Sequence, residues 1–231
     1  MERQSLACDV CAVRDRAACA ALDKGERAKL ARYGHHRTLS RGEMLFAAGD
    51  GEVVCATLIR GALKVSIFDE DGTEHIVSLI HPAGFAGELF SPQTHHDVIA
   101  LTDCELCVFP QAQYEQALRR FPELARALLR SSSQDLADSR SLLALTTGRT
   151  AMQRISGFLL ALARAADETE CHPSGGFELV LSRGEIASLL GTTIETVSRL
   201  LTKLEREGMI RRHGSRGIEL VDAARLGQLA R

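Results

Sequence analysis

Between Gly42 and Pro110 the apolar residues fall in short runs broken by glycines at 42, 49, 51, 61, 72, 84 and 87, and Leu63-Lys64-Val65-Ser66-Ile67 alternates with a period of two. That period belongs to a strand with one face on a core, and Asp71-Gly72 beyond it suits a tight hairpin turn. The stretch is expected to fold as a small antiparallel β-roll. After Gln111 no glycine occurs before Gly148, and leucines at 118, 124, 128, 136, 143 and 145 recur near helical spacing. Pro122 suits the first position of a helix of about 25 residues. Leu124, Leu128, Leu136 and Leu143, interleaved with Ser132 and Ser139, form a narrow seam suited to one partner helix, with packing on the chain's own roll as the alternative. Shorter helices are expected around Gly25 to Tyr33 and over 151–166, and Pro173-Ser174-Gly175-Gly176 reads as a loop or turn.

Residues 181–205 carry two helix starts. Ser182 with Glu185, and Thr192 with Glu195, each have capping-box spacing, and Gly191 stands between them. A short helix, a tight turn and a longer helix make a helix-turn-helix of the kind that reads DNA. On the second helix Ile194, Val197, Leu201 and Leu204 form an apolar face; Glu195, Ser198, Arg199 and Thr202 form the other, with Thr193 at its entrance. Arginine can hold guanine O6 and N7 together, glutamate accepts from cytosine N4, and serine reaches a base or a phosphate. Glu195 has a second reading, as the far half of the Thr192 capping box. Met209 to Leu220 reads as a hairpin turning at Gly214-Ser215, a wing in which Arg211 and Arg212 are suited to phosphate contacts.

The 28 Lys and Arg against 30 Asp and Glu give a net charge of −2, which excludes a coat that binds nucleic acid indiscriminately. Residues 181–216, by contrast, hold seven positive side chains against four negative ones, so positive charge is concentrated on the helix-turn-helix. No run approaches the roughly 18 apolar residues of a bilayer span, and Met1-Glu2-Arg3-Gln4-Ser5 leads into cysteines; a cytoplasmic location without membrane contact is expected. No Ser/His/Asp set, metalloprotease motif or P-loop is visible. The Cys-x-x-Cys pairs lie near a chain end and in strand texture, not at the helix N-terminus that activates a redox thiol, so the chain does not read as an enzyme.

Seven cysteines, odd in number and clustered, are unlike a disulfide framework. Cys8, Cys11 and Cys19 are spaced to wrap one centre, which needs a fourth ligand. Cys104 and Cys107 are three apart in a strand and so face opposite ways; Cys104 shares its face with Leu106 and Val108, which leaves Cys107 to look outward at the N-terminal segment. Cys55 and Cys171 are expected to be buried as small hydrophobes. On spacing alone an iron–sulfur cluster, a zinc ion and a thiol–disulfide switch all remain open.

Roll, long helix and winged helix-turn-helix, in that order, resemble the CRP/FNR family of bacterial transcription regulators over essentially the whole chain. The resemblance implies an α+β fold: an antiparallel, cupin-like β-roll sensor, a dimerisation helix and a C-terminal winged helix-turn-helix, divided as 1–40, 41–110, 111–148 and 149–231. Glu195-Thr196-Val197-Ser198-Arg199 is similar to the Glu-x-x-Ser-Arg motif of the FNR branch. This implies an activator that binds palindromic TTGAT-type sites in double-stranded DNA as a homodimer and works with RNA polymerase. Cys8, Cys11, Cys19 and Cys107-Val108-Phe109-Pro110 are similar to the FNR cysteine pattern, which implies an oxygen-labile [4Fe-4S] cluster controlling dimerisation. Seven residues separate Cys11 from Cys19, where the best-known members have five. Members that bind a cyclic nucleotide use a Gly-Glu pair and a later Arg with Ser or Thr. Gly87-Glu88 is present, but Gln93-Thr94-His95-His96-Asp97-Val98 has no arginine, so no cyclic nucleotide is expected and Gly87-Glu88 reads as turn structure. His35-His36 and His95-His96 read as solvated loop histidines.

Overall fold

The computed structural model describes residues 6–51, 54–146, 150–167, 176–214 and 217–231. They form two compact units, Met1–Ser139 and Arg140–Arg231.

In the first unit two 3-10 turns, Cys8–Val10 and Ala18–Ala21, precede helix α1 (Lys24–Ala31). Asp23 and Glu26 cap α1 reciprocally. Eight strands follow: β1 (His35–Leu39), β2 (Met44–Phe46), β3 (Val54–Arg60), β4 (Leu63–Phe68), β5 (Glu74–Ile80), β6 (Phe85–Ala86), β7 (Asp97–Ala100) and β8 (Cys104–Pro110). They pair antiparallel in two sheets, β1-β8-β3-β6 and β2-β7-β4-β5. Leu39, Leu45, Leu58, Leu63, Val98 and Leu106 are among the residues of the roll's core. The β4–β5 hairpin turns at Gly72 (φ +78°), where the Asp69 carboxylate accepts the N–H groups of Asp71 and Thr73. The expected alternation fails at its outer end. Lys64 and Ser66 are buried, each bonded to Glu74 at 2.8 Å, while Ile67 and Phe68 are exposed. A register shift between Val65 and Ser66 accompanies the change of face.

Helices α2 (Gln111–Arg120) and α3 (Pro122–Thr146) complete the expected helical stretch, with Pro122 at its first position. The leucine seam divides. Leu124 and Leu128 are buried in a second core with Leu22, Leu30, Tyr114 and Phe121, so they pack on the chain's own roll. Leu136 and Leu143 are exposed, and Leu129, absent from the expected seam, is exposed at 71%. Leu128 and Leu129 are chain neighbours about 100° apart around the helix, one on the roll and the other open, so leucines near helical spacing serve two faces.

The second unit contains α4 (Ala151–Asp167), β9 (Gly176–Glu178), α5 (Arg183–Leu189), α6 (Ile194–Arg206), β10 (Ile210–His213), β11 (Gly217–Leu220) and α7 (Ala223–Leu229). The three strands form a sheet ordered β10-β11-β9. Ser182 and Glu185 form the expected capping box of α5. The cap of α6 is Thr193, not Thr192: the Thr193 hydroxyl accepts from Thr196 N. Gly191 (φ +57°) and Thr192 send their N–H groups back to Ser188 O and Ala187 O, closing α5 in a Schellman motif. Thr192 thus belongs to the closure of α5, and the side-chain cap of α6 falls to the next residue, Thr193. Cys171, Pro173–Gly175 and Ser215 lie outside the described residues; Gly176 opens β9. No helix among the described residues is long and apolar enough to cross a membrane.

Candidate DNA-reading face and cysteine centre

Along β8 the residues Cys104, Leu106 and Val108 point into the roll's core, which leaves Cys107 on the opposite face. Cys104 is 2% exposed, and its thiol donates to Ala62 O and Thr102 O at 3.3 Å. The N-terminal segment lies over the outer face. Val13, Ala17 and Leu22 anchor it by burial, and Gly34 permits the approach, since a Cβ there would stand 2.4 Å from Phe109 and 2.7 Å from Leu6. The result is a small apolar cavity of about 40 Å³ lined by Cys8, Cys11, Cys19 and Cys107, with Arg27 and Tyr114 among its walls. All four thiols are half-buried, whereas Cys55 is buried and sits 3.7 Å from Phe109 O.

Burial raises the pKa of the Cys107 thiol, and the neighbouring Cys8, Cys19 and Cys11 raise it further. Burial followed by Cys11 raises Cys8 and Cys19, against a lowering by the Arg27 guanidinium. Thiolates crowded in an apolar wall repel one another, and a bound cationic core reverses that penalty. Four thiols around one apolar space are the donor set of an iron–sulfur cluster or of zinc, so the residues fit such a group. Among the described residues no three His, Cys, Asp or Glu side chains converge as ligands of a single ion. The thiols line the cavity without being drawn onto one point.

A second cavity of about 430 Å³ in the same unit is lined by Gly87, Glu88, His81, His96, Asp135 and Asp138, with Arg16 also on its wall. Glu88 is already engaged: it accepts His95 N at 2.7 Å, and Nδ1 of His95 and of His96 lie 2.6 and 2.7 Å from its oxygens. Gly87 (φ +148°) faces Cys55, whose Cβ would lie 2.6 Å from an added methyl. The histidine pairs are more engaged than solvated loop residues. His35 and His36 belong to β1, and His36 Nε2 lies 3.7 Å from Glu105.

On α6 Val197, Leu201 and Leu204 are buried, but Ile194 at the first turn is 52% exposed. Thr193, Glu195, Arg199 and Thr202 are exposed and Ser198 is half-buried. Bonding by its own backbone N–H and the Thr193 hydroxyl lowers the Glu195 pKa. The Thr202 hydroxyl donates to Ser198 O at 3.0 Å, folding back on the helix. Arg183, which the sequence offered only as one of the seven positive charges of 181–216, donates from Nη1 to Ser198 Oγ at 3.4 Å. Its position at the start of α5, where two helices meet, was the available signal. The wing arginines are engaged with carboxylates. Arg212 places its guanidinium on Glu205 of α6, with Nε 2.8 Å away, and its backbone N–H donates to the same side chain. Arg211 reaches both oxygens of Glu219 at 3.2 and 3.0 Å, and His213 Nε2 lies 2.9 Å from Glu219. Arg212 therefore ties the wing to α6, while Arg211 keeps most of its side chain in solvent.

A β-roll followed in sequence by a long helix and a three-stranded winged helix-turn-helix defines a DNA-binding transcription regulator, not an enzyme. A cyclic nucleotide-binding domain matches over residues 36–121, and a Crp-like helix-turn-helix domain over 153–229. The chain is 32% identical to the transcriptional activator protein FnrL of Cereibacter sphaeroides, over 95% of this chain and 90% of FnrL. It is 32% identical to the nitrogen fixation regulation protein FixK of Bradyrhizobium diazoefficiens, over 96% and 93% of the two chains. The solved structure of FixK2 from Bradyrhizobium japonicum has a TM-score of 0.77 at 25% identity, over 86% of this chain and 98% of that one. The chain belongs to the CRP/FNR family.

Proposed function

We propose that this protein is an oxygen-responsive transcriptional activator of the cytoplasm, in which Cys8, Cys11, Cys19 and Cys107 hold a [4Fe-4S] cluster. The observation that carries this reading is the single cavity lined by four thiols drawn from two turns and one strand. Its similarity to FnrL, named a transcriptional activator, supports the regulatory half. When bound, the cluster supplies an oxygen-labile core that couples the N-terminal segment to β8. On α3 the steps Leu129, Ser132, Leu136, Ser139, Leu143 alternate by three and four, the repeat of a two-stranded coiled coil with leucine in every other layer. That stripe is the proposed homodimer seam. Glu195, Ser198 and Arg199 are the proposed readers of a TTGAT-type half-site in duplex DNA, with Thr193 and Thr202 at its margins, Arg211 on phosphate and RNA polymerase recruited alongside. The carboxylates that line the larger cavity, Glu88, Asp135 and Asp138, disfavour a cyclic phosphate there.

The test is purification without oxygen, with iron and acid-labile sulfide counted and the absorption spectrum recorded. Four of each per chain is the expected result; zinc in their place would overturn the reading. Cys107→Ser is expected to lose both, while Cys104→Ser keeps them, because its thiol bonds within the roll core.

A further inference from the structure

Two arginines line the cysteine cavity, and they differ in what they hold. Arg14 directs its guanidinium outward, to Asp15 at 3.1 Å and to Asp9 O at 2.9 Å. Arg27, projecting from α1, donates from Nη2 to Leu22 O at 2.9 Å and from Nε to Cys19 O at 3.3 Å. Both acceptors close the 3-10 turn that carries Cys19, and Leu22 N also bonds Cys19 O at 3.2 Å. The planar fork thus fixes the main chain of the third cysteine to a helix that Leu30 buries in the second core. Neutral carbonyls do not cancel its charge, and among the described residues no carboxylate pairs with it. The long stretch between Cys11 and Cys19 makes such an external anchor useful.

We propose that Arg27 is a positioning residue and counter-charge for the cysteine centre: it holds the Cys19 turn in place and keeps a fixed cation beside the thiolate-bound iron–sulfur core. This rests on the cluster reading above. Four thiolates give such a core a net negative charge, and a nearby cation stabilises its more negative, reduced state. A partner outside the ligand set of a metal centre is typically worth about 10–100-fold in affinity.

Wild type, Arg27→Lys and Arg27→Gln full-length chains are reconstituted without oxygen. Iron and sulfide retained against a chelator, the midpoint potential of the cluster, and the melting temperature before reconstitution are then measured. Arg27→Gln is expected to retain about tenfold less cluster and to show a more negative potential. Arg27→Lys keeps the charge but not the fork, so it restores the potential and only part of the retention. If wild type takes up neither iron nor sulfide, the cluster reading and this proposal both fall. If wild type loads and Arg27→Gln matches it in retention and potential, the cluster stands and the role of Arg27 is overturned. Should Arg27→Gln fail to fold, Arg27→Lys decides: reduced retention at wild-type potential supports the proposal, and full retention overturns it.

Discussion

Arg199 stands exposed on α6, whereas Arg212 lies half-buried with its guanidinium on Glu205. The two should fail differently. Arg199→Ala is expected to cost about 1–3 kcal/mol per half-site and to flatten preference at one base pair. Arg212→Ala should instead lower the melting temperature by freeing the wing from α6, with base preference intact. Titrating a TTGAT-type palindrome and its single-base variants at several salt concentrations, beside thermal melts, separates these outcomes; a phosphate contact at Arg212 would reduce the salt slope by about one. That Glu195, Arg199 and Thr202 share an exposed face of α6 was visible in the sequence, because their positions follow from helical period alone. The carboxylate partners of Arg211 and Arg212 were not, since Glu205 reaches Arg212 across a helix-to-strand packing and Glu219 reaches Arg211 across a strand pairing. The opposite facing of Cys104 and Cys107 was legible for a simple reason: a two-residue period leaves no other arrangement in a regular strand.

Helix α3 shows how one element divides its labour. Its first two turns bury Leu124 and Leu128 against the roll, and further along Leu129 and Leu136 are open. Leu124→Ala removes a fully buried side chain and should destabilise the fold by about 2–5 kcal/mol, read by chemical denaturation. Leu136→Glu should leave that stability nearly unchanged while shifting sedimentation toward monomer; a dimer that survives it would place the seam elsewhere. Spacing revealed that a long helix would start at Pro122, but not which leucines served which neighbour. That assignment depends on where the roll stops covering the helix, which is a property of the β-strands. The cap of α6 was misplaced by one residue for a related reason. Thr192 and Thr193 are alike as caps, and only the closure of α5 through Gly191 decides between them.

In the whole molecule the β-roll with its cysteine cavity and the winged helix-turn-helix belong to separate compact units, Met1–Ser139 and Arg140–Arg231. The proposed cluster, acting on pairing through α3, would need to supply only a few kcal/mol to change the fraction of dimer. Sedimentation of anaerobic and air-exposed protein at matched concentration is expected to show dimers in the first and mostly monomers in the second. Equal masses with DNA affinity still lost in air would move the coupling away from the seam. The β8 strand has a bearing on the order of synthesis as well. It pairs with β1 and β3 and also brings Cys107, so it finishes the four-stranded sheet and the thiol set at once. Cys19 leaves the ribosome 88 residues earlier, a lead of roughly 4–18 s at ordinary translation speeds of about 5–20 residues per second. Until that strand arrives, β1 lacks its neighbour and three thiols wait without their fourth. A group bound by all four thiols, as proposed, would be captured in full only by a chain whose roll has closed, so loading would report closure of the roll.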